Sequence, residues 1–446
     1  MNNQTEFNNV IYDCSLGGIC GGCYYCNCSY EDQLQEKNER VRTLLEQAAA
    51  PYADSPYIYE GIIPSPLLFG YRNKMEYSFG DCAKDGPLTL GLHRKKSFYD
   101  VIDVDCCRLV HNDCNLVVKA AADYFRGLGL TYTDKRSHLG YLRYLIIRRA
   151  VNTGEMLVDL VTTSQPLIPV EKHSEISSLS LYDREAFAAG KKLPAEGVNA
   201  LDQDEVLKTF AEKLLEVQAD PAFEGRIRGI LHTVNDTLAD AVRNDGTTIL
   251  YGQDHITEEL LSLEFRISPF SFFQTNSRGA EVLYSKVREY IVDELEQDMH
   301  IYDLYSGTGT IAQMLAPCVR EVTGVEIVPE AVEAAKKNAA MNGLGNCRFI
   351  ADDVLKALDS LPAPDALILD PPRDGVNPKA LRKIIDYGVK NMIYVSCKPE
   401  SLARDLVMLQ AAGYRLIKAA AVDQFPWTKN VETVVLLSRA GAFRQA

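Results

Sequence analysis

The stretch DLYSGTGTIAQMLA, residues 303–316, predicts the end of a β-strand, a glycine turn and the start of a helix. Glycines at such a turn let a ligand approach the backbone closely, although an ordinary strand–helix turn is the simpler interpretation of the glycines alone. Apolar strand-like and helical runs alternate from about residue 266 onward. This predicts an α/β fold with a doubly wound, mostly parallel sheet, and the candidate strands are 299–305, 322–327, 365–370, 391–396, 414–421 and 431–437.

Two further features indicate what this sheet binds. Glu326 lies 17 residues after Gly309, at the end of the second candidate strand, where an acidic group can accept hydrogen bonds from ribose hydroxyls. A dinucleotide site would favour G-x-G-x-x-G, whereas residues 307–312 read GTGTIA. Pro371 and Pro372 stiffen another strand end, which a dehydrogenase does not need.

Cys397 follows the candidate strand 391–396, at the edge of the sheet where ligands are expected. A buried structural cysteine is the commoner case. Lys398 and Arg373, however, supply positive charge that can lower the pKa of the thiol and make it a nucleophile. Glu432 begins the last strand. If that strand runs antiparallel beside 391–396, Glu432 lies near Cys397 and is a candidate base.

The length of 446 residues indicates two or three domains. We expect a cysteine-rich segment at 1–30, a central α+β domain at 31–265 and a Rossmann-like domain at 266–446. Within the central domain, residues 31–50 predict an amphipathic helix and 86–104 a hairpin. The polar stretch at about 180–225 predicts a peripheral insertion.

No apolar run is long enough for a transmembrane helix, and the N-terminus has no signal-peptide pattern, so we expect a cytoplasmic protein. Twelve cysteines in such a protein are not expected to form disulfides. Five of them fall within 15 residues, and this crowding indicates a metal or an iron–sulfur cluster. The crowded cysteines are Cys14, Cys20, Cys23, Cys26 and Cys28.

The net charge of −14 argues against nonspecific nucleic-acid binding, because phosphate contacts need lysine and arginine. Residues 61–150 nevertheless carry 14 Lys and Arg against 9 Asp and Glu. A basic segment on an acidic protein fits a selective RNA enzyme, and a chance fluctuation of surface charge is the alternative.

Taken together, these motifs resemble the RNA 5-methyluridine methyltransferase family, and within it the iron–sulfur branch that modifies 23S ribosomal RNA. The similarity covers nearly the whole chain. The matching motifs are Arg72-Asn-Lys-Met-Glu-Tyr-Ser-Phe79, Ser271-Phe-Phe-Gln-Thr-Asn276, Asp303-Leu-Tyr-Ser-Gly-Thr-Gly309, Asp370-Pro-Pro-Arg-Asp-Gly375, Val395-Ser-Cys-Lys-Pro399 and Phe425-Pro-Trp-Thr-Lys-Asn-Val-Glu432.

The resemblance implies that Cys397 adds to C6 of a uracil and that Glu432 later removes the C5 proton. It implies S-adenosyl-L-methionine as the methyl donor. The implied donor contacts are Gln274, Tyr305, Thr310, Glu326, Asp353 and Asp370, with Asp352 as an alternative to its neighbour. It also implies a 4Fe–4S cluster on Cys14, Cys20, Cys23 and Cys107. Cys106 fits less well, and the spacing alone does not separate a cluster from zinc.

The sequence departs from the family in several places. Only 13 residues precede Cys14, so we expect the chain to lack the usual N-terminal RNA-binding β-barrel and the central domain to bind RNA. At three positions the family usually has another residue, namely asparagine in place of Lys398, histidine in place of Asn430 and cysteine in place of Ser306. We expect a monomer without membrane contacts. The proposed phosphate contacts are Arg94, Lys95, Lys96, Arg143, Arg148 and Arg149, and Phe272 or Phe273 is a candidate to stack on the uracil.

Three other functions remain open. The related branch that acts on tRNA usually lacks the cysteine cluster. A redox protein built on the cluster leaves Cys397 and Glu432 unexplained. A noncatalytic RNA-binding module would not need both a nucleophile and a base.

Overall fold

The computed structural model describes residues 10–188, 200–296 and 298–439. The helices in these residues are α1 (Tyr30–Ala49), α2 (Asn112–Gly127), α3 (Ser174–Ser177), α4 (Leu181–Ala188), α5 (Gln203–Val217), α6 (Ser277–Glu294), α7 (Thr310–Leu315), α8 (Pro329–Met341), α9 (Val354–Ser360), α10 (Pro378–Tyr387) and α11 (Pro399–Ala411). The strands are β1 (Ile58–Ile63), β2 (Lys74–Gly80), β3 (Thr89–His93), β4 (Val101–Asp103), β5 (Leu142–Arg149), β6 (Glu155–Thr162), β7 (Arg226–Val234), β8 (Gly246–Gly252), β9 (Ile256–Leu260), β10 (Leu263–Ile267), β11 (His300–Leu304), β12 (Glu321–Glu326), β13 (Cys347–Ala351), β14 (Ala366–Leu369), β15 (Asn391–Ser396), β16 (Tyr414–Val422) and β17 (Glu432–Arg439).

The larger sheet has eight strands in the order β1-β16-β17-β15-β14-β11-β12-β13. Strands β11 to β15 are parallel to one another, and β17 runs antiparallel to both of its neighbours. Helices α6, α7 and α8 cover one face, while α1, α9, α10 and α11 cover the other. Coverage on both faces explains why β14 and β15 are buried and apolar throughout. The predicted doubly wound α/β fold is confirmed.

All six candidate strands of this sheet form, and each predicted boundary lies within two residues of the observed one. The sequence reading missed β13, at the edge of the sheet. Only Phe349 of its five residues is buried, so the strand lacks the apolar run that marked the others.

The N-terminal part of the chain contributes to this sheet as well. Helix α1 forms as predicted, with the Ser29 side chain accepting a hydrogen bond from the Asp32 amide at its start. It packs against α11, and β1 pairs in parallel with β16. Much of residues 30–63, within or beside the expected domain 31–265, thus packs with the C-terminal sheet, and the domain bounds stay a prediction.

The second sheet has seven strands in the order β4-β3-β2-β5-β6-β7-β8. The predicted hairpin at 86–104 forms β3 and β4, which pair in antiparallel register. Residues 180–225 are not simply peripheral, because Phe210 and Leu214 of α5 are buried in the core that α2 also lines. Residues 189–199 of that predicted insertion lie outside the described residues.

Among the described residues, no helix combines the length and the apolar character that crossing a membrane requires.

Candidate active site

The turn after β11 has a backbone that only particular residues adopt. Gly307 and Gly309 have φ angles of 53° and 71°, in the left-handed region that favours glycine. A Cβ at Gly309 would lie 2.4 Å from the Phe349 ring, so a larger residue does not fit. Tyr305 has a φ of 67°, which is costly for a residue other than glycine and is often kept at functional sites. The turn exposes backbone at the carboxyl end of β11, where ligands of such sheets bind.

Glu326 lies directly beside this turn. One carboxylate oxygen accepts the Gly307 amide at 3.0 Å, and the other accepts the Val328 amide at 2.9 Å. These bonds fix the carboxylate while leaving a lone pair on each oxygen for a ligand. The ribose contact of Glu326 stays a prediction.

The neighbouring acids Asp352 and Asp353 take different roles. The Asp353 carboxylate accepts the Leu355 amide at 2.8 Å and caps α9, whereas Asp352 accepts the Asp353 amide at 2.8 Å. Asp353 also contributes to the raised pKa of Tyr305, about 12, of which burial is the main cause. Asp353 therefore lies near Tyr305 on the ligand side of the sheet, as a donor contact would.

Two further acids lie behind the turn. Asp303 is buried and accepts the Ala312 amide at 3.1 Å, which joins β11 to α7. Burial and the nearby Asp370 hold the pKa of Asp303 well above its usual value. Residue Asp370 is half-buried, but its carboxyl group is enclosed, and burial raises its pKa to about 7. Thr310 begins α7 and is almost completely buried at the same edge.

Strands β15 and β17 bring the predicted nucleophile and base together. Ser396, the last residue of β15, is the register partner of Thr433 in antiparallel β17. Cys397 follows Ser396 and Glu432 precedes Thr433, so these two residues lie at adjacent strand ends. Burial is the main reason that the pKa of Glu432 rises to about 8, and Asp370 adds to it. The arrangement expected from the sequence is present in the structure.

The electrostatic expectation for Cys397 is wrong for the protein without ligands. Burial and the negative charges of Glu432 and Asp370 raise the pKa of the thiol to about 11. Arg373 acts in the predicted direction but is outweighed. The protein alone therefore holds the thiol protonated at neutral pH, and thiolate formation needs a proton acceptor or a change in charge when substrates bind.

Gln274 is held from two sides. Its side-chain oxygen accepts a hydrogen bond from Gln424 Nε2 at 2.9 Å, and its backbone oxygen accepts one from Asn73 Nδ2 at 2.9 Å. The sequence reading missed Gln424 and Tyr284, a buried phenol that Gln274 hydrogen bonds. Burial and the charges of Asp370 and Glu432 hold the pKa of Tyr284 well above its usual value. Nothing in the local sequence of α6 distinguishes Tyr284 from an ordinary core tyrosine.

The structure separates the two candidate stacking residues. Phe273 is buried and packs against Phe265, with ring centroids 5.9 Å apart. Phe272 is 68% exposed and approaches the turn at Gly307. Phe273 therefore belongs to the core, and Phe272 is the ring available to a substrate.

The cysteine-rich segment folds against the β3–β4 hairpin and lines a cavity of about 440 Å³. Sulfur atoms of Cys107 and Cys20 accept backbone N–H groups, with Gly22 N lying 3.3 Å from Cys20 Sγ. Such bonds are typical of thiolates that bind iron. Cysteines at the cavity are Cys14, Cys20, Cys23, Cys26, Cys106 and Cys107.

The cysteines at the cavity do not form a site for a single metal ion. Across residues 10–188, 200–296 and 298–439, no three His, Cys, Asp or Glu side chains stand close enough together to hold one metal ion. The metal or cluster expected from these cysteines therefore stays a prediction.

Half of the predicted phosphate contacts are wrong. Arg143 is buried and donates to the backbone oxygens of residues 235, 237 and 239. Arg148 donates to those of Pro269 and Ser271, and Arg149 forms a buried ion pair with Asp113 at 2.7 Å. These three cations are mostly buried and stabilise the fold, although Arg143 also lines a surface cavity. The other three lie at the exposed tip of the hairpin, and they are Arg94, Lys95 and Lys96.

Comparison with known proteins identifies the family. The family described as tRNA (Uracil-5-)-methyltransferase matches residues 356–440, and a general methyltransferase domain matches 301–369. A relative from Clostridium acetobutylicum named an uncharacterized RNA methyltransferase is 42% identical over 96% of this chain and 83% of its own length. One from Caldanaerobacter subterraneus, named likewise, is 43% identical over 96% and 84%.

The chain belongs to the RNA uracil-5-methyltransferase family. A solved structure of Pyrococcus abyssi tRNA (uracil-54, C5)-methyltransferase in complex with S-adenosyl-L-homocysteine has a TM-score of 0.67 and 25% identity, covering 96% of this chain and 88% of that one. Members of the family are RNA methyltransferases that use S-adenosylmethionine, and the Rossmann-like fold predicted from the sequence agrees with this assignment.

Proposed function

We propose that this protein methylates C5 of a uridine in 23S ribosomal RNA through a covalent bond between Cys397 and C6 of the base. The observation that carries the proposal is the register of β15 and β17, which places a thiol beside a buried carboxyl group. Uracil C5 is a poor nucleophile, and addition of a thiolate at C6 turns it into an enolate-like carbon.

Each residue then has one task. The Cys397 thiol releases its proton to solvent when the substrates bind, its sulfur adds to C6, and C5 takes the methyl group that the donor sulfonium supplies. Glu432 removes the C5 proton, the electron pair restores the C5–C6 double bond, and the C6–S bond breaks. Because its pKa is raised to about 8, Glu432 has the basicity that a general base needs near neutral pH. The Arg373 side chain, which donates to Asn430 at 3.2 Å, supplies a positive charge beside the thiol.

For the methyl donor, the fit rests on the turn after β11. Bare backbone at Gly307 and Gly309 and the fixed carboxylate of Glu326 suit a nucleoside that carries a ribose. We propose that the donor contacts are Gln274, Tyr305, Thr310, Glu326, Asp353 and Asp370.

The first experiment compares Cys397→Ala with Glu432→Gln on a denaturing gel after reaction with RNA. Cys397→Ala is expected to form no adduct and to transfer no methyl group. Glu432→Gln still adds and transfers, but elimination stalls, so it should remain bonded to methylated RNA. Loss of a general base slows a reaction by about 10² to 10⁴. 5-Methyluridine made by Cys397→Ala, or an adduct in the double variant, would contradict these roles.

The choice of 23S ribosomal RNA rests on the cysteines, and two comparisons favour tRNA instead. The similar Pyrococcus structure is named as a tRNA enzyme, and the matching family description also names tRNA. Mass spectrometry of 5-methyluridine in ribosomal RNA and tRNA from a deletion strain separates the two substrates. Loss confined to tRNA would overturn the 23S proposal and leave the mechanism intact.

We also propose that Cys14, Cys20, Cys23 and Cys107 hold a 4Fe–4S cluster in the 440 Å³ cavity. Protein purified without oxygen should contain about four iron and four sulfide ions per chain. Cys107→Ser is expected to lose the iron, and Cys106→Ser, its exposed neighbour, to keep it. Stoichiometric zinc without iron would contradict the proposal.

A further inference from the structure

The loop of residues 423–431 joins β16 to β17 and ends at the proposed base Glu432. Five of its backbone oxygens accept hydrogen bonds from other parts of the chain. For four of these five oxygens, the donors belong to residues 24–71, which are far from the loop in sequence. The bonds are Asn276 Nδ2 to Gln424 at 2.7 Å, Lys37 Nζ to Phe425 at 3.1 Å, Tyr71 Oη to Pro426 at 2.9 Å, the amides of Tyr24 and Tyr25 to Trp427 at 2.8 and 3.1 Å, and Arg40 Nη2 to Lys429 at 2.7 Å.

Trp427 is the centre of this loop and has an unfavourable backbone. It is completely buried, and its φ of 68° lies in the left-handed region, which a bulky residue rarely adopts. Its indole N–H donates to the Leu68 backbone at 2.8 Å, and its amide donates to Gln33 Oε1 at 2.8 Å. A strained conformation persists only where its surroundings fix it. The contacts to Trp427 therefore hold the loop in one shape.

The cysteine-rich segment supplies two of these contacts. Tyr24 and Tyr25 follow Cys23, and their amides bind the Trp427 oxygen. Lys429, also in the loop, lies 3.8 Å from the centre of the Tyr24 ring. The backbone that carries the cavity cysteines is thus bonded directly to the loop that carries the proposed base.

We propose that Trp427 is a positioning residue for Glu432 and that the cysteine-rich segment, with Gln33, holds it in place. This rests on the proposed function. The contacts set the rate at which the C5 proton passes to Glu432 and the C6–S bond breaks. The addition of Cys397 depends on them less, because that thiol follows β15 and lies outside the loop, which reaches it only through the bond between Asn430 and Arg373. Misplacing a reacting group by about 1 Å can cost about 10²-fold in rate.

The test separates the two steps in a single turnover, using RNA tritiated at C5 of uridine. Methyl transfer to RNA reports the first step, and tritium release reports the second. Gln33→Met removes the acceptor for the Trp427 amide. Gln33 Nε2 has no hydrogen-bond partner among the described residues, so the only side-chain bond that this exchange removes is the one to the buried Trp427 amide, which is left without that acceptor. We expect methyl transfer within about twofold of the unmodified protein, tritium release slower by about tenfold or more, and accumulation of the adduct.

Gln410→Met is the matched control. Gln410 is also a buried glutamine that contacts α1, but it donates to Ala48 at the other end of that helix. Both steps should keep their rates in this variant. Equal slowing of both steps by Gln33→Met, or no change in tritium release, would overturn the inference. Absence of methyl transfer by the unmodified protein would instead overturn the proposed function, and this inference with it.

A second pair of variants tests the cysteine-rich segment. Tyr24→Pro and Tyr24→Ala both remove the half-exposed ring, but only proline also removes the Tyr24 amide, one of the two that bind the Trp427 oxygen. Iron content and the unfolding midpoint show whether each variant is folded. Tritium release should be slower in Tyr24→Pro than in Tyr24→Ala, at equal methyl transfer. Equal tritium release from two folded variants would overturn the role of the segment.

Discussion

Glu432 shows how burial prepares a single residue for catalysis at a cost in stability. Its folded pKa of about 8 lies above the ordinary value of 4.5, so between these values the folded protein binds a proton that the unfolded chain releases. The contribution of this group to stability is therefore fully present at low pH and is lost as the pH rises through 8.

Glu432→Gln removes this titration and should change how stability depends on pH. We expect the free energy of unfolding of the variant, relative to the unmodified protein, to increase by about 1 to 3 kcal/mol between pH 5 and pH 8. Urea unfolding at both pH values measures it. The exposed Glu296→Gln should show no such trend. A difference that is the same at both pH values would contradict the assigned burial.

Sequence motifs identified most individual residues of the site but not their electrostatics. Cys397 and Glu432 could be paired because strand ends in such sheets have fixed neighbours. The pKa of Cys397 was predicted in the wrong direction, because adjacent positive residues are visible in sequence while burial and Asp370 are not. The prediction that Arg148 contacts phosphate is wrong for the same reason, because the sequence does not show whether a basic residue of a strand is buried or exposed.

Helix α1 is attached to the active-site domain by a buried ion pair. Lys37 Nζ lies 2.6 Å from the Asp423 carboxylate, and neither side chain is exposed. Tyr30 donates to the second carboxylate oxygen at 2.8 Å. The ion pair fixes Asp423, the first residue of the loop before β17. It therefore connects helix α1 to the active site.

Lys37→Met should destabilise the protein strongly, because it leaves the Asp423 charge buried without a cation. We expect a loss of about 3 to 5 kcal/mol in the free energy of unfolding, measured with urea. Adding Asp423→Asn should recover part of that loss. Lys119→Met breaks an exposed pair with Asp123 and should cost less than about 1 kcal/mol. If Lys37→Met and Lys119→Met lose the same free energy of unfolding, burial does not make the Lys37–Asp423 pair more important to stability than an exposed pair.

At the scale of elements, apolar periodicity predicted the strands that lie inside the sheet and the helix α1. It failed for β13, whose edge position leaves four of five residues at least partly exposed. It also could not predict that β1 joins β16, because the pairing of strands more than 300 residues apart leaves no local pattern.

For the whole molecule, the position of positive charge decides how RNA is bound. The acidic protein presents Lys95 and Lys96 on an exposed hairpin tip that contacts the cysteine-rich segment. We infer that this tip meets the RNA backbone, since phosphate contacts release counterions and make binding depend on salt.

Replacing Lys95 and Lys96 by alanine should therefore weaken RNA binding and flatten its salt dependence. The slope of log affinity against log salt concentration should fall in magnitude by about 1 to 2. A salt titration of the equilibrium affinity measures it. Lys336→Ala with Lys337→Ala removes two exposed charges from α8 and should leave the slope unchanged. If both double variants give the same slope of log affinity against log salt concentration, the RNA backbone does not contact the hairpin tip.

The ion pair of α1 also dictates when this protein can finish folding. Its partners are 386 residues apart, so α1 has no docking surface until the last strands have been made. At about 5 to 20 residues per second, a ribosome needs roughly 20 to 80 s to cover that distance. During this interval the cysteine-rich segment lacks its contacts with the loop of residues 423–431, which has not yet been synthesised. If the proposed cluster is loaded onto the nascent chain, it enters before the loop of residues 423–431 and the active site are complete.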